Sequence, residues 1–211
     1  MYKKSNLLIE QVEALTIELD KLNRALTESV NLEEKKLSQF KSNFIKNLLE
    51  DIFFLIDLDG QMNFCIRNGN LIIRNMLEQL IEFLYLLRHQ ELIEEYFGEK
   101  MKEPILVDVA QLSKELGKLR FESGRKTIKE MTEDINQFKN SSGEMTLYDL
   151  YIMLSETCHN SYFISWLETV EGIRSDKNEG ALSALQIGVL RVITGCVLIE
   201  CFETGVEYMN Y

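Results

Sequence analysis

The chain has 211 residues, 45% of them apolar and 27% charged, enough for one large domain whose core needs no disulfide or metal staple. Its formal net charge of −11 excludes a general nucleic-acid or anionic-membrane binder, which needs clustered Lys and Arg to neutralise phosphate, but leaves room for a local basic site. One proline and eleven glycines leave long stretches without a breaker, which favours helices over strands and turns.

Residues 7–30 carry apolar side chains at Leu8, Val12, Leu15, Leu19, Leu22 and Leu26, spaced alternately by four and three. This a/d seam predicts a helix zipped against one partner helix. Gln11, Thr16, Glu18 and Asn23 flank it without complementary charges, so the partner is either the next helix of the same chain or a second copy. The domain organisation expected is therefore an N-terminal heptad helix over residues 1–31, packed on the main bundle or on a partner, and a helical bundle over 32–211.

A second helix is expected over 32–56, with Leu37, Phe40, Phe44, Leu48, Ile52 and Leu55 on one face. Asp57-Leu58-Asp59-Gly60 ends it. The tetrapeptide resembles the middle of a calcium loop, but the first and last ligand positions hold Leu55 and Ile66, so it reads as a turn. A third helix follows over about 64–97, kinked at Asn68-Gly69-Asn70, its apolar face running Ile72, Ile73, Met76, Leu77, Leu80, Phe83, Leu84 and Leu87. Helical stretches are expected at 106–120 and 124–139, then a linker at Asn140-Ser141-Ser142-Gly143. A helix over about 146–170, interrupted near His159, a polar loop over 172–180 and a last helix over 181–207 complete an all-α bundle of six or seven helices.

The last helix is the nearest approach to a membrane span. Arg191 at its middle and Glu200 near its end are costly in hydrocarbon, so a buried central helix is expected, with no membrane partner. Ala184, Gly188, Arg191 and Gly195 share one face, which would allow close helix approach, with Glu78 or Glu82 accepting from Arg191. Four cysteines without paired spacing (Cys65, Cys158, Cys196, Cys201) point to a reducing cytoplasm, and two histidines are too few for a zinc site. Neither metal nor cofactor is expected. The basic stretch Lys118, Arg120, Arg125, Lys126, Lys129 reads as a solvated helix face.

Two patterns place polar, chemically capable residues inside apolar helical runs. Arg74 and Glu78 are one helical turn apart, on a stripe continued by Ile81 and Tyr85. Ser155 and His159 are likewise one turn apart, with Tyr148 and Ile152 assigned to their stripe. Two readings stand side by side. In one, His159 transfers a proton near neutral pH, Arg74 offsets phosphate charge, Glu78 orients Arg74, and Ser155 positions the histidine or a substrate oxygen. In the other, Arg74, Glu78 and His159 form a buried structural network that satisfies itself. No glycine elbow surrounds Ser155, which excludes a serine-hydrolase arrangement. The remaining histidine, His89, has no accompanying pattern and reads as a surface residue.

The run Leu71-Ile72-Ile73-Arg74-Asn75-Met76-Leu77-Glu78, continuing to Tyr85-Leu86-Leu87, resembles an uncharacterised bacterial all-helical family carrying an R-x-x-x-E element and, later, a Y-x-x-L-S-E-x-x-H element. The second element matches at Tyr151, Leu154, Ser155, Glu156 and His159; where many members follow the histidine with Pro-Ser, this chain has Asn160-Ser161. The likeness spans about residues 60–165. More remotely the arrangement is similar to HEPN domains, helical bundles that often act as metal-independent ribonucleases, although those carry Arg and His on one helix. The resemblance implies a defence or toxin protein acting on RNA or nucleotide phosphate; the heptad helix points to a homo-oligomer through helices, and no DNA partner is expected. The alternative is a non-enzymatic helical interaction module.

Overall fold

The computed structural model describes residues 6–28, 31–57, 68–93, 126–138, 144–159 and 182–202, apart from the side chains of Asn6, Thr157, His159 and Ala184. Six α-helices lie within them: α1 (Asn6–Glu28), α2 (Leu32–Asp57), α3 (Asn70–Arg88), α4 (Ile128–Asp134), α5 (Leu147–His159) and α6 (Ala184–Phe202). No strand occurs among the described residues. The all-α bundle expected from the periodicity is the observed architecture. The stretch 106–120, the linker at 140–143, the loop at 172–180, Cys65, most of the calcium-like turn and the first part of the basic stretch lie outside the described residues.

Three of the helices, α4, α5 and α6, start where a side chain satisfies their free N–H groups. Thr127 accepts from the backbone of Glu130, and the Glu130 carboxylate reaches back to the Thr127 N–H at 2.7 Å. The pairs Thr146–Asp149 and Ser183–Gln186 open α5 and α6 in the same reciprocal way. At the far end of α4, Asn136 adopts φ 58°, and the N–H groups of Asn136 and Gln137 return to the carbonyls of Glu133 and Thr132. This Schellman turn stops the helix short of the 139 expected, since a left-handed residue cannot continue it.

α3 lies at the centre, packed on α5, α6, α4 and α2, while α1 packs on α2 and α6. Leu15, Ile45, Ile52, Ile73, Leu77, Leu80, Ile81, Leu154, Leu190, Ile193 and Val197 are sealed from solvent in the shared core. Phe83 joins α3 to α2 through Phe44, stacked at 3.9 Å, and Phe40 at 5.2 Å. The heptad seam is occupied within the chain. Leu8, Val12, Leu15 and Leu26 are buried, and Leu19 and Leu22 pack on the same core.

Three expectations are corrected. α3 ends at Arg88 rather than 97: His89 leaves helical geometry at φ −121°, ψ 62°, and a single 3-10 turn, Gln90–Leu92, follows. At the expected kink, residues 68–69 form a π-turn directly ahead of α3, a local irregularity at which helices bend. On α6, a Cβ at Gly188 would meet nothing within 4 Å among the described residues, so Gly188 does not bring a described helix close. Arg191 does not use the expected acceptors either. Its Nε is buried without a hydrogen-bond partner, and Glu78 pairs with Arg74. α6 is long and apolar enough to cross a membrane over Leu185–Phe202, and its Val189, Leu190, Ile193, Val197 and Leu198 belong to the protein core.

Candidate functional site at Arg74

Arg74 projects from the second turn of α3 toward α5, at the point where the apolar stripe of α3 meets solvent. Its Nε donates to Ser155 Oγ at 2.9 Å and its Nη2 donates to the Tyr151 hydroxyl at 2.7 Å, bridging 81 and 77 residues of sequence. Glu78, one turn along, faces the same Nη2 at 3.4 Å. The Arg74 and Glu78 side chains are each 27% exposed, so the node is neither sealed nor free in water. Ile81 and Tyr85, further along the stripe, are buried as expected.

The two motifs therefore meet in space: Arg74, Glu78 and Ser155 converge. The fourth expected member, His159, is the last residue of α5, and its side chain lies outside the described residues. The missing participant was Tyr151. It belongs to the same sequence element as Ser155 and stands one turn before it, which was the available signal. Ile152, expected on the stripe, is instead 38% exposed, because α5 is rotated to turn Tyr151 inward.

Proton assignments follow from the geometry. The Ser155 hydroxyl donates to the Tyr151 carbonyl at 2.7 Å, so its oxygen acts toward Arg74 as an acceptor. A serine whose proton is held by its own helix is not primed as a nucleophile. The Tyr151 hydroxyl is different. It accepts from Arg74 and keeps its own proton available for donation. The guanidinium carbon lies 4.9 Å from the Tyr151 ring centre, adding a cation–π contact, and Tyr148 stacks beyond at 6.3 Å.

A second polar cluster sits at the other end of α3. His89 is not a bare surface residue: its Nε2 lies 2.8 Å from Asp134 Oδ1, its Nδ1 lies 3.6 Å from Glu91, and its ring packs on Tyr85 at 4.5 Å. Lys126 binds the other Asp134 oxygen at 3.0 Å and lies over the Tyr85 ring. The hydrogen bonds from His89 and then Lys126 hold the Asp134 carboxyl below the usual aspartate range, and Asp134 in turn raises the Lys126 ammonium. Lys129 pairs with Glu133 at 3.9 Å, so the described end of the basic stretch is neutralised. Burial pushes the thiols of Cys196 and Cys201 up to about 11 and about 12, which makes them inert apolar groups at neutral pH.

Comparison of the chain with family models, with curated proteins and with solved structures finds no match in any of the three.

Proposed function

We propose that the chain is a HEPN-like helical protein that acts on RNA or nucleotide phosphate without a metal ion, as a defence or toxin protein. The observation that carries this reading is the Arg74–Ser155 hydrogen bond, which joins the R-x-x-x-E element to the Y-x-x-L-S-E-x-x-H element at a part-exposed node. In RNA cleavage of this kind the 2′-oxygen attacks the adjacent phosphorus and the bond to the 5′-oxygen breaks. Arg74 offsets the charge that develops on the phosphate oxygens, and Glu78 orients Arg74. His159 takes or returns the proton, Ser155 fixes the guanidinium plane, and the Tyr151 hydroxyl donates to a phosphate oxygen. The reading places the protein in the cytoplasm as a homo-oligomer. Exposed Phe53, Phe54 and Ile56 near the end of α2 support self-association through a surface other than the occupied heptad seam.

The test is cleavage of a varied RNA pool in the presence of a chelator, alongside thermal denaturation. Wild type is expected to cleave. His159→Ala and Arg74→Ala are expected to abolish cleavage, with His159→Ala retaining its melting temperature. A stable His159→Ala protein with full activity would exclude the mechanism.

One observation favours a second reading. Glu78 faces the same nitrogen of Arg74 that Tyr151 engages, so an incoming phosphate must compete with a carboxylate already in place. A non-enzymatic interaction module would use the node only to lock α3 against α5. Wild type without detectable cleavage on any RNA in the pool supports that reading.

A further inference from the structure

Roughly 20 Å along α3 from Arg74, at 1.5 Å per residue, a half-open cleft of about 240 Å³ lies between α2, the C-terminal end of α3, the turn after α4, the start of α5 and α6. Leu84, Ile135 and Leu147 lie buried at its base beside the Cys196 thiol, under a rim whose open surface is mostly polar. The Schellman turn at Asn136 shapes this wall, directing Ile135 into the core and leaving Gln137 at the rim. The volume falls below the roughly 300–1,000 Å³ of sites that hold drug-sized ligands, so the fitting ligand is small.

The charges at the mouth are unbalanced. Lys41 and Arg88 reach it, against one carboxylate, Glu200. Neither cation is paired with a carboxylate among the described residues; Arg88 donates only to the backbone carbonyl of Asp134, at 3.2 Å. This stands out in a chain of net charge −11. The amide of Gln137, at the same rim, adds uncharged donors that suit an anionic head group. An apolar base beneath two uncompensated cations recognises a molecule with a short hydrocarbon body and one negative end.

We propose that this cleft binds a small carboxylic acid with a short apolar tail, the tail lying on Leu84, Ile135, Leu147 and Cys196 and the carboxylate held by Lys41 and Arg88. The site is independent of the Arg74 node.

Hexanoate titrated into the full chain by calorimetry tests the assignment, with hexylamine as the charge-reversed control and methyl-group NMR to locate the contact. Saturable one-to-one binding of hexanoate, absent for hexylamine, with shifts at Leu84, Ile135 and Leu147, is the expected result. Lys41→Gln is expected to weaken binding about tenfold, the loss of one charge-assisted hydrogen bond. Because Arg88 also supports the turn after α4, Lys41→Gln is the cleaner variant, and its melting temperature checks that the fold is intact. No saturation, equal binding of hexylamine, shifts confined to other methyl groups, or unchanged affinity in a folded Lys41→Gln protein would each overturn the proposal.

Discussion

The hydroxyl of Thr194 on α6 donates to the side-chain oxygen of Gln11 on α1 at 2.8 Å, a contact sealed from solvent between residues 183 positions apart. The same hydroxyl lies 2.9 Å from the Leu190 carbonyl, so its single proton is shared between helix and partner. This bond ties the first helix to the last at one register, because a buried amide oxygen that loses its donor is costly.

Thr194→Val keeps the shape of the side chain but strands the Gln11 amide. The expected cost is about 1–3 kcal/mol in urea denaturation, the penalty of a buried polar group left without its partner. Adding Gln11→Leu removes the orphan and is expected to recover most of that loss. If the double variant is no more stable than Thr194→Val alone, the bond does not tie the helices.

At the Arg74 node the partial exposure sets the scale. Losing one member of a sealed ion pair costs roughly 3–5 kcal/mol, but water can reach Glu78, whose side chain is 27% exposed. Arg74→Ala is therefore expected to cost about 1–3 kcal/mol. A double-mutant cycle with Ser155→Ala should return a coupling of about 0.5–1.5 kcal/mol, since either variant removes the same Nε–Oγ hydrogen bond. Additive losses would mean that the 2.9 Å contact contributes nothing to stability.

Gly69 offers a steric test at the start of α3. Its backbone is ordinary, at φ −58°, but an added Cβ would stand 2.8 Å from Gln186 Nε2. That amide cannot easily retreat. Its Nε2 donates to the buried Asn70 side chain at 2.9 Å, and its oxygen caps α6 through the Ser183 N–H. Gly69→Ala should lower the unfolding free energy by about 1–3 kcal/mol through overpacking, outweighing the roughly 0.4–1 kcal/mol that replacing glycine contributes through the unfolded chain. Thermal denaturation of Gly69→Ala beside Gly69→Ala with Gln186→Ala checks the cause. If removing Gln186 does not diminish the effect of the alanine, the clash is not the reason.

What was legible in the sequence is what depends on one helix at a time. The spacing of Leu8, Val12 and Leu15, or of Ile73, Leu77 and Leu80, reports a buried face directly, because 3.6-residue periodicity is local. That the two motifs would meet was legible, since polar groups inside apolar stripes need one another; the partner expected for Arg74 was His159, and the contact among the described side chains is with Ser155. Tyr151 was not, because its role depends on how α5 is rotated about its axis, and a tyrosine in an apolar run reads equally well as core. His89 was opaque for a related reason: its partner Asp134 comes 45 residues later on a short helix. The reciprocal caps at Thr127, Thr146 and Ser183 were written plainly as Thr or Ser three residues before Glu, Asp or Gln, and they explain starts that hydrophobic spacing alone left loose.

The His89–Asp134–Lys126 cluster gives a prediction in pH. Asp134 is held below its usual value of 3.8, first by the hydrogen bond with His89 and then by that with Lys126. A carboxylate whose pKa is depressed in the folded state contributes stability that is fully present above its unfolded value, about pH 4, and is lost as pH falls through the lower folded value. The clamp between α4 and the end of α3 should therefore weaken only in strong acid. Asp134→Asn is expected to lower the melting temperature at pH 7 and to flatten its decline below about pH 4, since the variant has no carboxyl there to protonate. Glu130 and Asp149 are also held below their usual values, by cap hydrogen bonds with Thr127 and Thr146, and leave part of the acid slope in place. Melting curves of both proteins across that range decide the matter. Parallel declines would show that Asp134 carries no pH-dependent stability and that its contacts with His89 and Lys126 are incidental.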